Sequence, residues 1–106
     1  MSKRFNIKNM KGGWFVGDFE PSIFRSKDFE VGMKFVPAGT ESDDHYHKVT
    51  QELTVFVSGL GIYNGEEYGP GDILLLEPYD KNSILFKEDS HIICLKTPSA
   101  PEDKYY

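Results

Sequence analysis

The middle of the chain carries its most informative pattern, where residues 39–59 read Gly39-Thr-Glu-Ser-Asp-Asp-His45-Tyr-His47-Lys-Val-Thr-Gln-Glu52-Leu-Thr-Val-Phe-Val-Ser-Gly59. In an extended segment, residues i and i+2 project to the same face, so His45 and His47 can reach one ion together. Glu52 lies at the start of the following apolar run and can supply a carboxylate oxygen to the same ion. The pattern therefore predicts a metal site formed by His45, His47 and Glu52.

This set of ligands indicates a class of metal rather than one ion. Imidazole suits Zn, Cu, Fe and Ni, whereas carboxylate oxygen favours Mn and Mg. We expect a divalent transition metal, namely Fe, Mn, Zn or Ni, as the cofactor. Three protein ligands would leave coordination positions open, as non-haem oxygenases and Lewis-acid isomerases require. The alternative is an exposed acidic loop whose histidines are merely solvated.

The spacing resembles the first signature motif of the cupin superfamily, whose members include small single-domain proteins of the cupin 2 type. That motif reads Gly, five residues, His, one residue, His, three or four residues, Glu, six residues, Gly, and this chain matches it at Gly39, His45, His47, Glu52 and Gly59. The resemblance implies an all-β cupin fold, a conical β-barrel also described as a double-stranded β-helix or jelly roll. It places the metal site inside that barrel.

A second, looser cupin motif consists of a turn with Pro and Gly, an apolar strand, and a His that supplies the fourth ligand. Residues 69–78 resemble its opening, but Asn82 stands at the usual position of that His. Asn82 can hydrogen-bond to a metal-bound water or to a substrate, or it can lie in a turn, where Asn is common. Asn82 and Tyr46 are the candidate catalytic, hydrogen-bonding residues, and the catalytic group itself stays unassigned.

Composition and length limit the remaining possibilities. The 106 residues fit a single cupin domain over 1–106, with a barrel core at about 12–97 and peripheral terminal segments. A net charge of -5 lacks the basic footprint of a nucleic-acid-binding protein. No apolar run approaches the roughly 20 residues of a membrane span, so we expect a cytoplasmic protein. Cys94 is the single cysteine, and its apolar neighbours predict a buried, unreactive thiol.

Short runs of alternating polarity recur from Gly12 to Lys96, separated by Gly, Pro, Asn and Asp, and predict eight or more strands. Residues 29–35 read as a half-buried strand with the Phe29, Val31, Met33 and Phe35 face inside, and residues 73–76 as a strand buried on both faces. Asn64-Gly65 predicts a tight hairpin. Many short strands fit a sandwich or a jelly roll, and the resemblance favours the cupin barrel.

The strand that begins at Glu52 has two chemically different faces. One face carries Glu52, Thr54 and Phe56, and the other carries Leu53, Val55 and Val57. If Glu52 points into the barrel, the apolar trio points outward and needs a cover. A second layer of strands would serve, but we expect a homodimer, which is common among cupins.

The leading hypothesis is a small stand-alone cupin that binds a metal and acts on a small polar molecule, by oxygenase or by isomerase or epimerase chemistry. Phe35, Phe56 and Phe86 are expected to form an apolar wall around it. The tail of residues 98–106 resembles that of some small cupins of sugar-nucleotide pathways, which points to a carbohydrate-related molecule, and we expect it along the surface or on a partner. The alternative is a non-catalytic module for small-molecule binding or protein interaction, and a motif that no longer binds metal is a third reading.

Overall fold

The computed structural model describes all residues 1–106 and is built almost entirely from β-strands. The strands are β1 (Trp14–Val16), β2 (Glu30–Val36), β3 (Gln51–Ser58), β4 (Gly61–Tyr63), β5 (Glu66–Tyr68), β6 (Ile73–Leu76), β7 (Ile84–Phe86) and β8 (Ser90–Thr97). One 3₁₀ turn at Ile7–Asn9 is the sole helical element. No helix in the structure has the length and hydropathy of a membrane span. The prediction of eight short strands in an all-β chain is confirmed.

The strands form two antiparallel sheets that face each other. The larger sheet has the order β1-β2-β8-β3-β6, and the smaller one has the order β5-β4-β7. The last strand of the chain, β8, lies between β2 and β3 and pairs with both along most of its length. Neighbours in the sheet are thus far apart in sequence, which is the topology of a jelly roll rather than of a simple meander.

The apolar core lies between the two sheets. Its buried members are Phe56, Leu74, Leu76, Ile84, Phe86, Ile92 and Cys94. Burial raises the pKa of the Cys94 thiol to about 11, so the thiolate is scarce at neutral pH and the thiol is unreactive, as the sequence predicts.

Strand β3 shows the alternation that its sequence predicts. Phe56 and Thr54 are buried at 0% and 2% exposure, whereas Val57 is 52% exposed. Glu52 lies on the same buried face as Thr54 and Phe56. The carboxylate is therefore inside the barrel, and the outer face of the strand is apolar.

The prediction for residues 29–35 was right about a strand and wrong about its buried face. Met33 and Phe35 are exposed, and the inward positions carry Glu30, Gly32 and Lys34. The register with β8 explains this, because Gly32 pairs with the buried Cys94, and residues paired across an antiparallel sheet share a face. Phe35 consequently lies on the outer surface against His91, and it is not part of an internal apolar wall.

Strand β6 is also buried on one face only, contrary to the prediction. Leu74 and Leu76 enter the core, whereas Ile73 and Leu75 are 58% and 45% exposed. The large sheet therefore presents an apolar surface to the outside as well as to the core.

Gly32 allows the ring of Trp14 to lie across β2 at one end of the barrel. A Cβ atom at position 32 would approach Cε3 of Trp14 to 2.7 Å, so no other residue fits under the ring. The Nζ atoms of Lys34 and Lys96 each lie 4.8 Å from the centre of this ring. Trp14 thus packs against the edge of the core and holds two lysines on the inner face of the sheet.

The predicted hairpin at Asn64-Gly65 connects β4 to β5. Both residues have positive φ, 52° and 79°, as a type I′ turn requires. A second glycine, Gly59, ends the ligand motif at φ 95° where a Cβ atom would meet Oγ of Ser90 at 2.1 Å. The closing glycine of the motif is therefore fixed by the close approach of β8.

Candidate metal centre

The three predicted ligands come together inside the barrel. His45, His47 and Glu52 are buried, with 9%, 4% and 4% exposure, and their ligand atoms lie within 4.8 Å of one another. The two imidazole centroids are 5.2 Å apart with their planes at 82°. Two imidazole nitrogens and one carboxylate oxygen at this separation can hold a metal ion.

Backbone hydrogen bonds hold His45 and His47 in an extended conformation, in which residues two positions apart project to the same face. The amide of Asn82 donates to the carbonyl of His45 at 2.6 Å, and the amide of Tyr79 donates to the carbonyl of His47 at 2.6 Å. The intervening Tyr46 pairs in the other direction, with Tyr105. Glu52 belongs to β3, where Leu76 and Lys96 flank it on the neighbouring strands.

Both imidazoles present Nε2 for coordination, because Nδ1 is committed to the backbone. Nδ1 of His45 lies 2.9 Å from the carbonyl oxygen of Asp43, and Nδ1 of His47 contacts the carbonyl oxygen of Asp103. A carbonyl only accepts hydrogen bonds, so each Nδ1 must carry the proton and donate it. In the neutral ring the lone pair is then on Nε2, as in histidines that ligate a metal.

Three buried polar atoms at the site have no hydrogen-bond partner, namely Nε2 of His47, Oε1 of Glu52 and Oδ1 of Asn82. Nε2 and Oε1 are 3.3 Å apart but do not form a hydrogen bond of good geometry. Leaving such an atom unsatisfied costs about 1–3 kcal/mol. A cation among these atoms would satisfy them together, and the ligand chemistry therefore fits a metal.

Charge at the site also favours a cation. Burial lowers the pKa of His45, so this ring is neutral near pH 7. The neighbouring Glu52 raises the pKa of His47 against the opposing effect of burial. Burial raises the pKa of Glu52, but the opposing effects of His47 and Lys96 are together larger. The net pKa of Glu52 is therefore below its usual value. Glu52 is therefore an ionised, acceptor-only carboxylate, and His45 is a neutral imidazole at the same site.

A cavity of about 240 Å³ opens from the ligands, and its lining is mixed. Its polar and charged residues are Lys34, Thr40, Ser42, Asp43, His45, Glu52, Thr54, Asn82 and Lys104, and its apolar ones are Val36, Ile84, Phe86, Ile92 and Cys94. Phe86 forms part of the wall as predicted. Phe56 is buried in the core instead, and the position expected for Phe35 is taken by Val36.

Asn82 and Tyr46, the two candidate hydrogen-bonding residues, have different surroundings. Asn82 is 9% exposed and lines the cavity, and its backbone is in a β-bridge with His45 rather than in a turn. Tyr46 is absent from the lining and stacks between Tyr79 and Tyr105, at centroid distances of 5.9 and 5.7 Å. His91 is an exposed residue of β8 that pairs with Ser58, at the opposite end of β3 from Glu52.

The sequence analysis missed three residues at the site, Lys34, Lys104 and Asp103. Lys34 could have been found only by assigning the opposite face of β2 to the interior. Lys104 and Asp103 belong to the tail, and their partners lie more than 50 residues away in sequence. No local pattern marks such contacts.

Solved structures with the same architecture include three that cover most of this chain. A protein with a double-stranded β-helix domain from Klebsiella pneumoniae aligns with a TM-score of 0.68 and 19% identity, over 92% of this chain and 86% of that one. The DMSP lyase DddQ from Ruegeria pomeroyi aligns with a TM-score of 0.70 and 15% identity, over 95% and 58%. A cupin protein from Bacteroides fragilis aligns with a TM-score of 0.54 and 27% identity, over 74% and 73%.

The chain has the cupin fold. No family model and no curated protein matches its sequence. The fold predicted from the first motif is confirmed, and His45, His47 and Glu52 of that motif lie inside the barrel, where they could hold a metal ion.

The tautomer of His45 provides a direct test of the geometry. In metal-free protein at neutral pH we expect His45 to carry its proton on Nδ1, because the carbonyl of Asp43 requires a donor there. Long-range ¹H–¹⁵N correlation spectra distinguish the two tautomers, and His45→Gln identifies the signals. A proton on Nε2 of His45 would contradict the conclusion that this nitrogen carries the lone pair available to a metal.

Proposed function

We propose that this cupin binds one divalent transition metal through His45, His47 and Glu52 and acts on a small polar molecule in the adjoining cavity. The observation that carries the proposal is the set of buried, unpartnered atoms at the site, Nε2 of His47, Oε1 of Glu52 and Oδ1 of Asn82. Fe, Mn, Zn and Ni all accept this combination of imidazole and carboxylate. When bound, such an ion would act as a Lewis acid on a substrate oxygen or, if it is iron, support oxygenase chemistry.

The size of the cavity supports a small substrate. Its volume of about 240 Å³ is below the roughly 300–1,000 Å³ of sites for drug-sized ligands. The apolar wall of Val36, Ile84, Phe86 and Ile92 excludes water from one side. The reacting group is thus confined between this wall and the ligands.

The charges around the cavity favour a substrate with an anionic or hydroxyl-rich group. Lys34 lines the cavity, its Nζ lies over the ring of Trp14, and it forms no ion pair. Lys104 is 3.5 Å from Oδ2 of Asp43 and is partly neutralised. Lys34 would therefore provide the free positive charge, and a carboxylated or phosphorylated sugar derivative is one class that fits.

Asn82 would orient the substrate. Its amide can accept through Oδ1 and donate through Nδ2, and Oδ1 has no protein partner. An amide is also uncharged across the working pH range, so its hydrogen bonds would not titrate. The DMSP lyase among the structural neighbours supports an enzymatic function, because it is an enzyme with this fold.

A non-catalytic binding module is the second candidate function. The specific observation in its favour is that Asn82 replaces the usual fourth imidazole. A barrel that holds a small molecule by means of Lys34, Asn82 and a structural metal would have the same residues. Turnover, as opposed to binding alone, separates the two functions.

We also propose that the outer face of the large sheet pairs with a second copy of the chain. The face consists of Val31, Met33, Phe35, Leu53, Val55, Val57, Ile73, Leu75, Ile93 and Leu95, which are neighbours in the strand register. The outer face of an antiparallel sheet is normally polar, and contiguous exposed apolar patches mark interfaces. Because this face has no charged residue, two copies can approach despite a net charge of -5 on each.

Metal content tests the main proposal. Protein purified without a chelator or affinity tag should contain close to one ion per chain, and His45→Ala and His47→Ala should weaken binding by more than the roughly 10–100-fold associated with loss of an outer-shell partner. His91→Ala is the matched control, because this third histidine is exposed on β8, and it should retain the ion. Full metal content in a folded His45→Ala/His47→Ala double variant would refute the site. The identity of the ion then selects the assay, oxygenase substrates for iron and isomerase substrates for manganese, zinc or nickel.

Asn82→Ala should separate ligand binding from metal binding. We expect the metal to remain, since His45, His47 and Glu52 are intact, while the small-molecule affinity falls by about 1–3 kcal/mol, or roughly 5- to 150-fold, through the lost hydrogen bonds. Calorimetric titration of the metal-loaded variant measures this loss, and Ser83→Ala is an exposed neighbouring control. If Asn82→Ala binds the small molecule with unchanged affinity, Asn82 does not contribute to the binding site.

Sedimentation tests the pairing of the outer faces. Wild-type protein should sediment as a species of twice the 12.1 kDa chain mass, and Ile93→Glu should sediment as a monomer, because burying an unpaired carboxylate at the centre of the face is costly. Phe24→Glu, an exposed position outside this face, is the control and should remain dimeric. A monomeric wild type at high micromolar concentration would show that the face has no such partner.

A further inference from the structure

The segment of residues 98–106, expected on the surface, lies against the loop that carries the two histidines. The amide of Tyr46 donates to the carbonyl of Tyr105 at 2.9 Å, and the amide of Tyr105 donates to the carbonyl of Tyr46 at 3.0 Å. Within this segment Asp103 is only 7% exposed, whereas its neighbours Glu102 and Lys104 are exposed. A short polar tail rarely buries a carboxylate without a specific partner.

The partner of the Asp103 carboxylate is the backbone between the metal ligands. Oδ1 accepts from the amide of Lys48 at 3.0 Å, and Oδ2 accepts from the amides of Val49 and Thr50 at 2.9 Å each. Hydrogen bonds to an ionised acceptor are roughly twice as strong as neutral ones. This carboxylate therefore fixes residues 48–50, which connect His47 to β3 and thus to Glu52.

The same residue also fixes the ring of His47. The backbone carbonyl of Asp103 accepts the hydrogen bond from Nδ1 of His47, in a contact that is fully buried. One residue thereby determines the tautomer and orientation of a ligand ring and the conformation of the loop that follows it. The next residue, Lys104, lines the cavity, so the segment also forms part of the wall of the site.

We infer that Asp103 is a positioning residue for the metal centre and that residues 98–106 act as a strap that sets the affinity of the site. This inference rests on the proposed metal function, since it assigns how the protein holds one of the proposed ligands. Removal of an outer partner of a ligating histidine typically weakens metal binding about 10- to 100-fold. The coupling is reciprocal, so a bound metal should also stabilise the strap against opening.

The test compares Zn²⁺ affinity among Asp103→Ala, Asp103→Asn, wild type and a matched control, Glu102→Ala, whose side chain is exposed and forms no hydrogen bond in the structure. Competition with a chromophoric chelator gives the dissociation constants. Asp103→Ala keeps the backbone carbonyl that accepts from His47 but removes the three hydrogen bonds that anchor this carbonyl and residues 48–50. We therefore expect it to bind Zn²⁺ about 10-fold more weakly, the lower end of the range for loss of an outer partner. Glu102→Ala should match wild type, and Asp103→Asn should recover part of the loss because its amide keeps one acceptor oxygen. A variant that ends at Thr97 should be at least as weak as Asp103→Ala.

Two further readouts distinguish positioning from general destabilisation. The visible absorption bands of the Co²⁺-loaded protein report the ligand geometry, and they should shift in Asp103→Ala but not in Glu102→Ala. Amide hydrogen exchange at residues 48–50 should accelerate in Asp103→Ala while exchange in the core of β3 and β8 stays slow, which shows that the barrel remains folded.

The possible results of these experiments distinguish the positioning role of Asp103 from the proposed metal binding itself. If wild type binds Zn²⁺ and Asp103→Ala binds it equally well with an unchanged Co²⁺ spectrum, the positioning role is overturned while the metal site stands. If wild type and Glu102→Ala both fail to bind any divalent metal, the proposed function is refuted and the positioning role falls with it. If Asp103→Ala does not fold, the comparison of Asp103→Asn with Glu102→Gln decides: weaker binding in Asp103→Asn supports the role, and equal binding overturns it.

Discussion

The alternation of side chains along the central strands of the large sheet is the constraint on which the rest of the structure depends. In β3 the alternation turns Glu52 and Thr54 inward, and in β2 it turns Glu30 and Lys34 inward. The same period of two must then turn the apolar residues of these strands outward. A polar cavity and an apolar outer face are consequently two results of one pattern.

Burial of the ligand cluster is costly, and the structure offsets that cost through the backbone. The Nδ1 atoms of His45 and His47 are satisfied by carbonyls of Asp43 and Asp103, and the carboxylate of Asp103 satisfies three amides. Only Nε2 of His47, Oε1 of Glu52 and Oδ1 of Asn82 are left without partners. Unpaired groups concentrated at one point of an otherwise satisfied interior are characteristic of a functional site, where stability is given up for the capacity to bind.

The sequence predicted what depends on local spacing and failed where the answer depends on distant parts of the chain. His45, His47 and Glu52 were identifiable because a metal site built on adjacent strands leaves a short, fixed interval between them. The buried face of β2 was assigned wrongly because a period of two does not say which face is inside, and the register with β8 decides it. Asp103 was missed because its partners are 53–56 residues away, and an isolated Asp in a polar tail has no periodic signal.

Asn82 is the residue at which this chain departs from the second cupin motif, and its surroundings explain how the barrel accommodates the change. Its backbone amide still pairs with His45, so the strand position is kept while the side chain changes from an imidazole to an amide. An amide oxygen is a weaker ligand for Zn or Fe than imidazole, so a metal held by His45, His47 and Glu52 would keep an open coordination position. Asn82, Lys34 and the apolar wall line the same cavity as His45 and Glu52, so a small polar molecule bound there would lie beside the proposed ligands. Because one fold hosts many chemistries, the activity proposed here would depend on side chains such as Asn82, Lys34 and Asp103 and not on the barrel itself.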